Sequence, residues 1–330
     1  LNSPARFLAV ALLLVSSAAL AGPALLLFPA LGRPDGVFLQ GRVLKEAPSR
    51  GSSVFSRNLR RLAAPNWEGA KVEIAFQGLT TTVTSGDDGN FEVNLQPRQG
   101  ATFPTGFSLA EVKVVGASAR VRVEVVPDTA PFLVISDFDD TLAITQVVKP
   151  AKLMESALLK DSDTQEVVPG MAAFYGCMKT PGAPAFALVS GSPVQYVPRV
   201  HTFLSRHGFP SFGMYLRDLG PGTLSNYKQP AIRRLLGQFP HPVVLVGDSG
   251  EKDPEIYEQI REEFPQRVKA IYIRDAGRTE DTSRFADMVL FKEASEAAGH
   301  AVKNGLADAA CVSAAFSAPA PAPTVEKTAP

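Results

Sequence analysis

Two hydrophobic rhythms divide this chain. In the first part, apolar and polar residues alternate in short runs at 37–46, 71–77, 79–85, 90–96, 111–116 and 119–126. A period of two places one set of side chains on a buried face and the other in solvent, which predicts β-strands. Gly86-Asp87-Asp88-Gly89 and Gly116-Ala117-Ser118 supply turns between them. Six or so such strands with no helical period predict an all-β sandwich. Beyond a Pro-containing linker at 127–131 the rhythm changes. The runs at 132–135, 185–189, 243–246 and 268–273 are almost continuously apolar, as suits strands buried on both faces. Helical stretches at 193–206, 230–238 and 254–264 lie between them. Strand and helix in alternation predict an α/β region with a Rossmann-like parallel sheet, its site formed by loops after the strand C-termini.

The ends of the chain read differently. Arg6 precedes an apolar run from Phe7 to Leu20, and Ala19-Leu20-Ala21 has the small-x-small form of a signal-peptidase site. Residues 1–21 are therefore expected to be a signal peptide and the protein to be exported. The alternative is an N-terminal membrane anchor, since apolar residues resume at 23–28, but Gly22-Pro23 and Pro29 interrupt the run. The expected division is a signal peptide at 1–21, a β-sandwich-like domain at 27–128, an α/β domain at 129–312 and a disordered Ala/Pro-rich tail at 313–330.

Composition narrows the partners. Basic and acidic residues balance at 33 each, which argues against nucleic acid. Arg50, Arg57, Arg60 and Arg61 stand together before Glu68; a solvated loop explains them better than a membrane-facing patch. The four histidines lack zinc-ligand spacing. Cys177 and Cys311 are read as small buried apolar residues rather than as a single disulfide.

Chemistry collects where the apolar runs end. The first ends Asp137-Phe138-Asp139-Asp140-Thr141. Asp137 and Asp139 share a side of an extended chain, and two carboxylates at a buried strand mouth call for a cation. The second ends Ser190-Gly191-Ser192-Pro193, which predicts Ser192 as helix N-cap, Pro193 as first helical residue and an anion site at that helix N-terminus. The third ends Gly247-Asp248, with Asp253 five residues on. Asp248 suits a hard cation, whereas Asp253, before Pro254, is equally a helix N-cap and a metal or lysine partner. Lys228 precedes the helix at 230.

This order of parts resembles the haloacid dehalogenase superfamily of phosphohydrolases: Asp137/Asp139/Thr141, then Ser190, Lys228 and Gly247-Asp248 with Asp253. A longer resemblance covers about 27–295. Through Phe28-Pro29-Ala30-Leu31-Gly32, Gly41-Arg42-Val43-Leu44, His207-Gly208-Phe209-Pro210 and Gly247–Tyr257 the chain is similar to the actin-patch-associated phosphatidate phosphatase family. Gly191 stands where that family's pattern has Asn.

The resemblance implies Mg²⁺-dependent hydrolysis of phosphatidate, a phospholipid met at a membrane surface. It implies Asp137 as nucleophile and Asp139 as acid and base. Mg²⁺ would be held by Asp137, Asp248 and the Asp139 carbonyl. Ser190 and Lys228 would hold phosphate, and Thr141 would order the loop. No protein partner is expected. A soluble phosphate ester as substrate is the alternative, and a non-catalytic phosphatidate-binding module a third reading.

Overall fold

The computed structural model describes residues 22–48, 60, 62–145, 165–178, 184–218 and 227–317. The signal-peptide and anchor readings of 1–21 lie outside these residues, as do Arg50, Arg57 and Arg61. The run at 23–28 lies inside them, and most of it is strand β1 (Ala24–Leu27), not the continuation of a helix.

The alternating half forms eight strands. After β1 come β2 (Ala30–Arg33), β3 (Gly36–Leu44), β4 (Lys71–Phe76), β5 (Leu79–Thr84), β6 (Asn90–Leu95), β7 (Gly106–Val114) and β8 (Ala117–Val125). Their hydrogen bonding follows one path, β1-β3-β2-β8-β7-β4-β5, with β6 also on β3. Every pair is antiparallel except β2 with β8. The eight strands are thus hydrogen-bonded into one connected sheet. Its inward residues, among them Leu39, Val72, Ile74, Phe91, Val112 and Val123, meet in one core.

The continuous apolar runs become a six-stranded, all-parallel sheet of order β13-β12-β9-β14-β15-β16. These strands are β9 (Leu133–Ser136), β12 (Ala185–Pro193), β13 (Phe212–Arg217), β14 (Val243–Asp248), β15 (Val268–Arg274) and β16 (Val289–Phe291). Between β9 and β12 a short hairpin, β10 (Ala143–Ile144) with β11 (Glu166–Val167), precedes helix α1 (Met171–Met178). The helices that follow are α2 (Val197–Arg206), α3 (Lys228–Gln238), α4 (Asp253–Glu263), α5 (Ala294–Lys303) and α6 (Ala309–Ser317). Two cores lie on the faces of the sheet, one holding Val134, Leu188 and Val246, the other Leu133, Ile135, Ala187 and Leu245. Alternate residues of the same strands go to opposite cores, which is why the runs had to be apolar throughout.

Packing does not respect the expected boundary near 27 or the expected linker. Leu26 and Phe28 join the first α/β core, and Leu31, Val126 and Ala130 join the second. Met214 N–H donates to the Pro29 carbonyl at 2.7 Å. A Cβ at Gly213 would sit 2.7 Å from Leu31 Cγ, so glycine lets β13 approach β2. Arg42, buried on β3, donates to Asn90 at 2.8 Å and to Asp218 at 2.5 Å.

Two further expectations change. Cys177 and Cys311 form a disulfide between α1 and α6, with Cα atoms 5.4 Å apart. Nothing in two isolated cysteines 134 positions apart revealed it; only the docking of α6 on α1 brings them together. Helix α6 also runs to Ser317, past the expected start of the tail at 313. No helix among the described residues is long and apolar enough to cross a membrane.

Candidate active site

The ends of β9, β12 and β14 lie side by side because those strands are neighbours in the parallel sheet. Asp137 follows β9 directly, and its N–H donates to the Val246 carbonyl of β14 at 2.9 Å. That bond fixes the first carboxylate against the strand that carries Asp248. The chain then reverses at Asp140, which has φ 52°, with Asp140 N–H bonded to the Ala143 carbonyl. Behind Asp137, Tyr175 Oη donates to Ser136 Oγ at 2.8 Å, and Ser136 Oγ donates to the Asp137 carbonyl at 2.6 Å. Tyr175, remote in sequence, carries no motif that could have pointed to it.

Four carboxylates are gathered with one lysine. Lys228 Nζ lies 2.9 Å from Asp137, 2.5 Å from Asp253 and 3.5 Å from Glu251. Asp253 also accepts from Asp248 N–H at 3.3 Å. Asp253 is thus the lysine's partner; it is the first residue of α4, with Lys252 at the N-cap position. Its place explains Gly247, where a Cβ would meet Asp253 Oδ2 at 2.5 Å and Tyr257 at 2.8 Å. Any larger residue would push Asp253 and α4 away from the strand end.

Burial sets the protonation. It drives Asp137 and Asp248 well above the ordinary carboxylate range, with Lys228 opposing in both. Asp253 is raised for the same reason. For Lys228 burial works toward neutrality, but Asp137, Asp253 and Glu251 outweigh it and hold the ammonium well above its usual value. Asp139 is pushed up to about 6 by burial, against the hydrogen bond from Ser192 Oγ at 2.7 Å.

Carboxylate oxygens of Asp137, Asp248 and Asp253 lie within 4.8 Å of one another. Among the described residues, Asp137 Oδ2 and Asp248 Oδ2 are buried and accept no hydrogen bond. Buried carboxylate oxygens without a donor are costly unless a cation lies beside them. The donor set is all oxygen, the preference of a hard divalent ion. Asp253 is already satisfied by Lys228, so the vacant ligand atoms are those of Asp137 and Asp248. The Asp139 carboxylate is turned to Ser192 and is not one of this group.

Several expectations about the second strand end need correction. Ser192 is not a helix N-cap, and Pro193 is not the first helical residue. β12 continues to Pro193, a 3₁₀ turn follows at Val194–Tyr196, and α2 starts only at Val197. Ser192 Oγ holds Asp139 instead, and its N–H donates to Ser190 Oγ at 3.1 Å. Ser190 is fully buried. A Cβ at Gly191 would meet nothing within 4 Å, so the missing Asn leaves space there rather than relieving a clash. Among the described residues the buried Thr141 hydroxyl has no hydrogen-bond partner. Glu251 was missed because nothing in a Gly-Glu-Lys sequence tells which acid turns toward Lys228.

Residues 132–275 match the family described as the catalytic domain of phosphatidate phosphatase APP1. Over those residues the α/β region is similar to this family. An uncharacterized protein of Schizosaccharomyces pombe is 33% identical over 178 residues, 51% of this chain and 29% of that protein. Phosphatidate phosphatase APP1 of Saccharomyces cerevisiae is 30% identical over 148 residues, 42% of this chain and 25% of that protein. The matched segments thus span under a third of these relatives' length. A solved carbohydrate acetylesterase from Xanthomonas citri overlays 77% of this chain and 68% of its own at 14% identity, with a TM-score of 0.29, too slight a likeness to bear on fold or function.

Proposed function

We propose that the protein is an exported, Mg²⁺-dependent phosphatase of haloacid dehalogenase type that hydrolyses phosphatidate to diacylglycerol and phosphate. The observation that carries the chemistry is the pairing of Asp137, 2.9 Å from a charged Lys228, with a second orphaned carboxylate at Asp248. The APP1-like family of residues 132–275 supports the lipid substrate. The disulfide supports export, since such bonds persist in oxidising compartments.

Asp137 attacks phosphorus, so that a bond from its carboxylate oxygen to phosphorus forms as the bond to the leaving oxygen breaks. Asp139, protonated to about pH 6 by burial, gives its proton to the departing alkoxide. It then takes one from the water that hydrolyses the aspartyl-phosphate, regenerating Asp137 and releasing phosphate. Ser192 keeps Asp139 aimed. Lys228 and Ser190 hold the non-bridging oxygens, and Asp253 holds Lys228. Asp137 and Asp248 would hold Mg²⁺, whose positive charge would let an anionic nucleophile approach an anionic phosphate.

The test is purified protein with phosphatidate in mixed micelles, glycerol phosphate, and an aryl phosphate. Phosphate release should require Mg²⁺ and stop on chelation. Phosphatidate should give far higher kcat/KM than glycerol phosphate, with a rate that falls as it is diluted within the micelle. A preference for the water-soluble ester, insensitive to surface dilution, would replace the lipid with a soluble substrate.

A further inference from the structure

A groove runs along α3 where the two sheets meet. Its inner part is a cavity of about 380 Å³ walled by Phe28, Phe91, Val194, Leu216, Tyr227 and Ala231. An outer cavity of about 560 Å³ continues it toward Gln238, and the two share Glu92 and Arg234. The inner volume lies at the lower end of the range for small-molecule pockets. Helix α3 has 11 residues, so the groove follows it for about 16 Å.

Two residues of the groove's wall are close in sequence to the candidate catalytic centre. Tyr227 directly precedes Lys228, and Val194 stands two residues after Ser192. Tyr227, Ala231 and Arg234 follow the i, i+4, i+7 spacing of one helix face, while Lys228 on the next face turns to Asp137. The acid in the proposed reaction must stand beside the leaving oxygen, because it protonates that atom. Asp139 is held by Ser192, two residues before Val194 of the groove wall.

Charge decides what the groove accepts. Asp218, in its wall, is neutralised by Arg42 at 2.5 Å. Arg234, at the junction of the two cavities, faces Glu92 at 3.9 Å. With both cations partnered and a largely aromatic and aliphatic wall, the groove has no vacant counter-charge for an ionic group. We infer that the inner cavity is the binding site for one hydrocarbon chain of the substrate's leaving group. This inference rests on the phosphatase reading above and adds to it a place where chain length is read.

The test separates the two. Binding of ethyl, butyl and hexyl phosphonates, with Mg²⁺ present, is followed by calorimetry, and turnover of a compact aryl phosphate is measured in parallel. Affinity should rise with chain length, by up to about fourfold for each methylene fully buried. Ala231→Trp, which fills the cavity from α3, should flatten that series while aryl phosphate turnover stays within threefold. Gln40→Trp, from the opposite wall, is the second variant if the first does not fold. Equal affinity for all three phosphonates, or an unchanged series in both folded variants, overturns the chain site even when aryl phosphate is hydrolysed. Absence of aryl phosphate hydrolysis by the parent protein overturns the phosphatase reading and the leaving-group assignment with it.

Discussion

The two halves of the molecule bury very different things. Among the described residues of the antiparallel half, the buried polar side chains are Arg42 and Ser85, and both are satisfied. Ser85 donates to the Trp67 carbonyl and accepts from Ala70 N–H, and Arg42 is paired across the interface. The parallel half buries Asp137, Asp248, Asp253 and Lys228 in one place, with oxygens left unbonded. Leaving such groups out of water opposes folding. A fold retains that cost where the charge performs work that an apolar core cannot, so the contrast points to chemistry in one half and support in the other.

Asp137→Asn should widen the contrast most. It keeps the shape but removes the nucleophile, so Mg²⁺-dependent phosphate release should fall by roughly 10⁴-fold or more. The same change relieves a buried charge, so the thermal midpoint should hold or rise. A variant that loses stability and keeps activity would make the carboxylate a structural group and undo the comparison.

Separating the halves is the next largest effect. Every proposed catalytic residue lies within 129–317, yet Leu26, Phe28 and Leu31 fill the cores of that region. Expressed alone, 129–317 should be insoluble or cooperatively unfolded by calorimetry. A folded, fully active fragment would show that the β-sheet half is dispensable support.

Arg42→Met tests the interface at a single point. It removes the donor to Asn90 Oδ1 and the cation beside Asp218, and should cost about 1–3 kcal/mol in denaturant unfolding with aryl phosphate turnover nearly unchanged at 25 °C. An equal loss in kcat would place the β-sheet half inside the catalytic machinery.

The smallest expected effect concerns Asp139. Because its pKa is raised to about 6, the proton-donating form dominates below that pH and is lost above it. For an alkyl phosphate, whose leaving oxygen needs the proton, kcat/KM should fall about tenfold per pH unit above about 6. With an aryl phosphate that alkaline fall should be shallow, and in Asp139→Asn it should vanish. The same profile for both substrates would remove Asp139 from the acid role.

Much of this was legible in the sequence because it depends on local rules. Alternation located six of the eight strands of the first half, and the continuous runs located the four inner strands that position the site. The remaining two, β1 and β2, escaped because they are apolar on both faces: Leu26 and Leu31 enter the α/β cores while Leu25, Leu27 and Ala30 pack on their own. Motif order named Asp137, Ser190, Lys228, Asp248 and Asp253; the structure gathers the three aspartates with Lys228 and bonds Ser190 to Ser192. What failed depended on a third dimension. Ser192 was read as a cap from its neighbour Pro193, but its hydroxyl is claimed by Asp139, 53 residues away. The partner choice of Lys228 among three acids and the meeting of Cys177 with Cys311 are likewise decided by packing.

The disulfide turns a linear chain into a ring. The bond from Cys177 to Cys311 encloses 134 positions of separation, and Ser190, Lys228, Asp248 and Asp253 are inside it, with Asp137 and Asp139 on the arm outside. A single protease cut anywhere between residues 178 and 310 therefore leaves one covalent molecule. Such a nicked protein should migrate as one species without reductant and as two with it. Where peptide bonds are broken faster than proteins are replaced, the closed ring lets a cleaved chain keep all its proposed catalytic residues together.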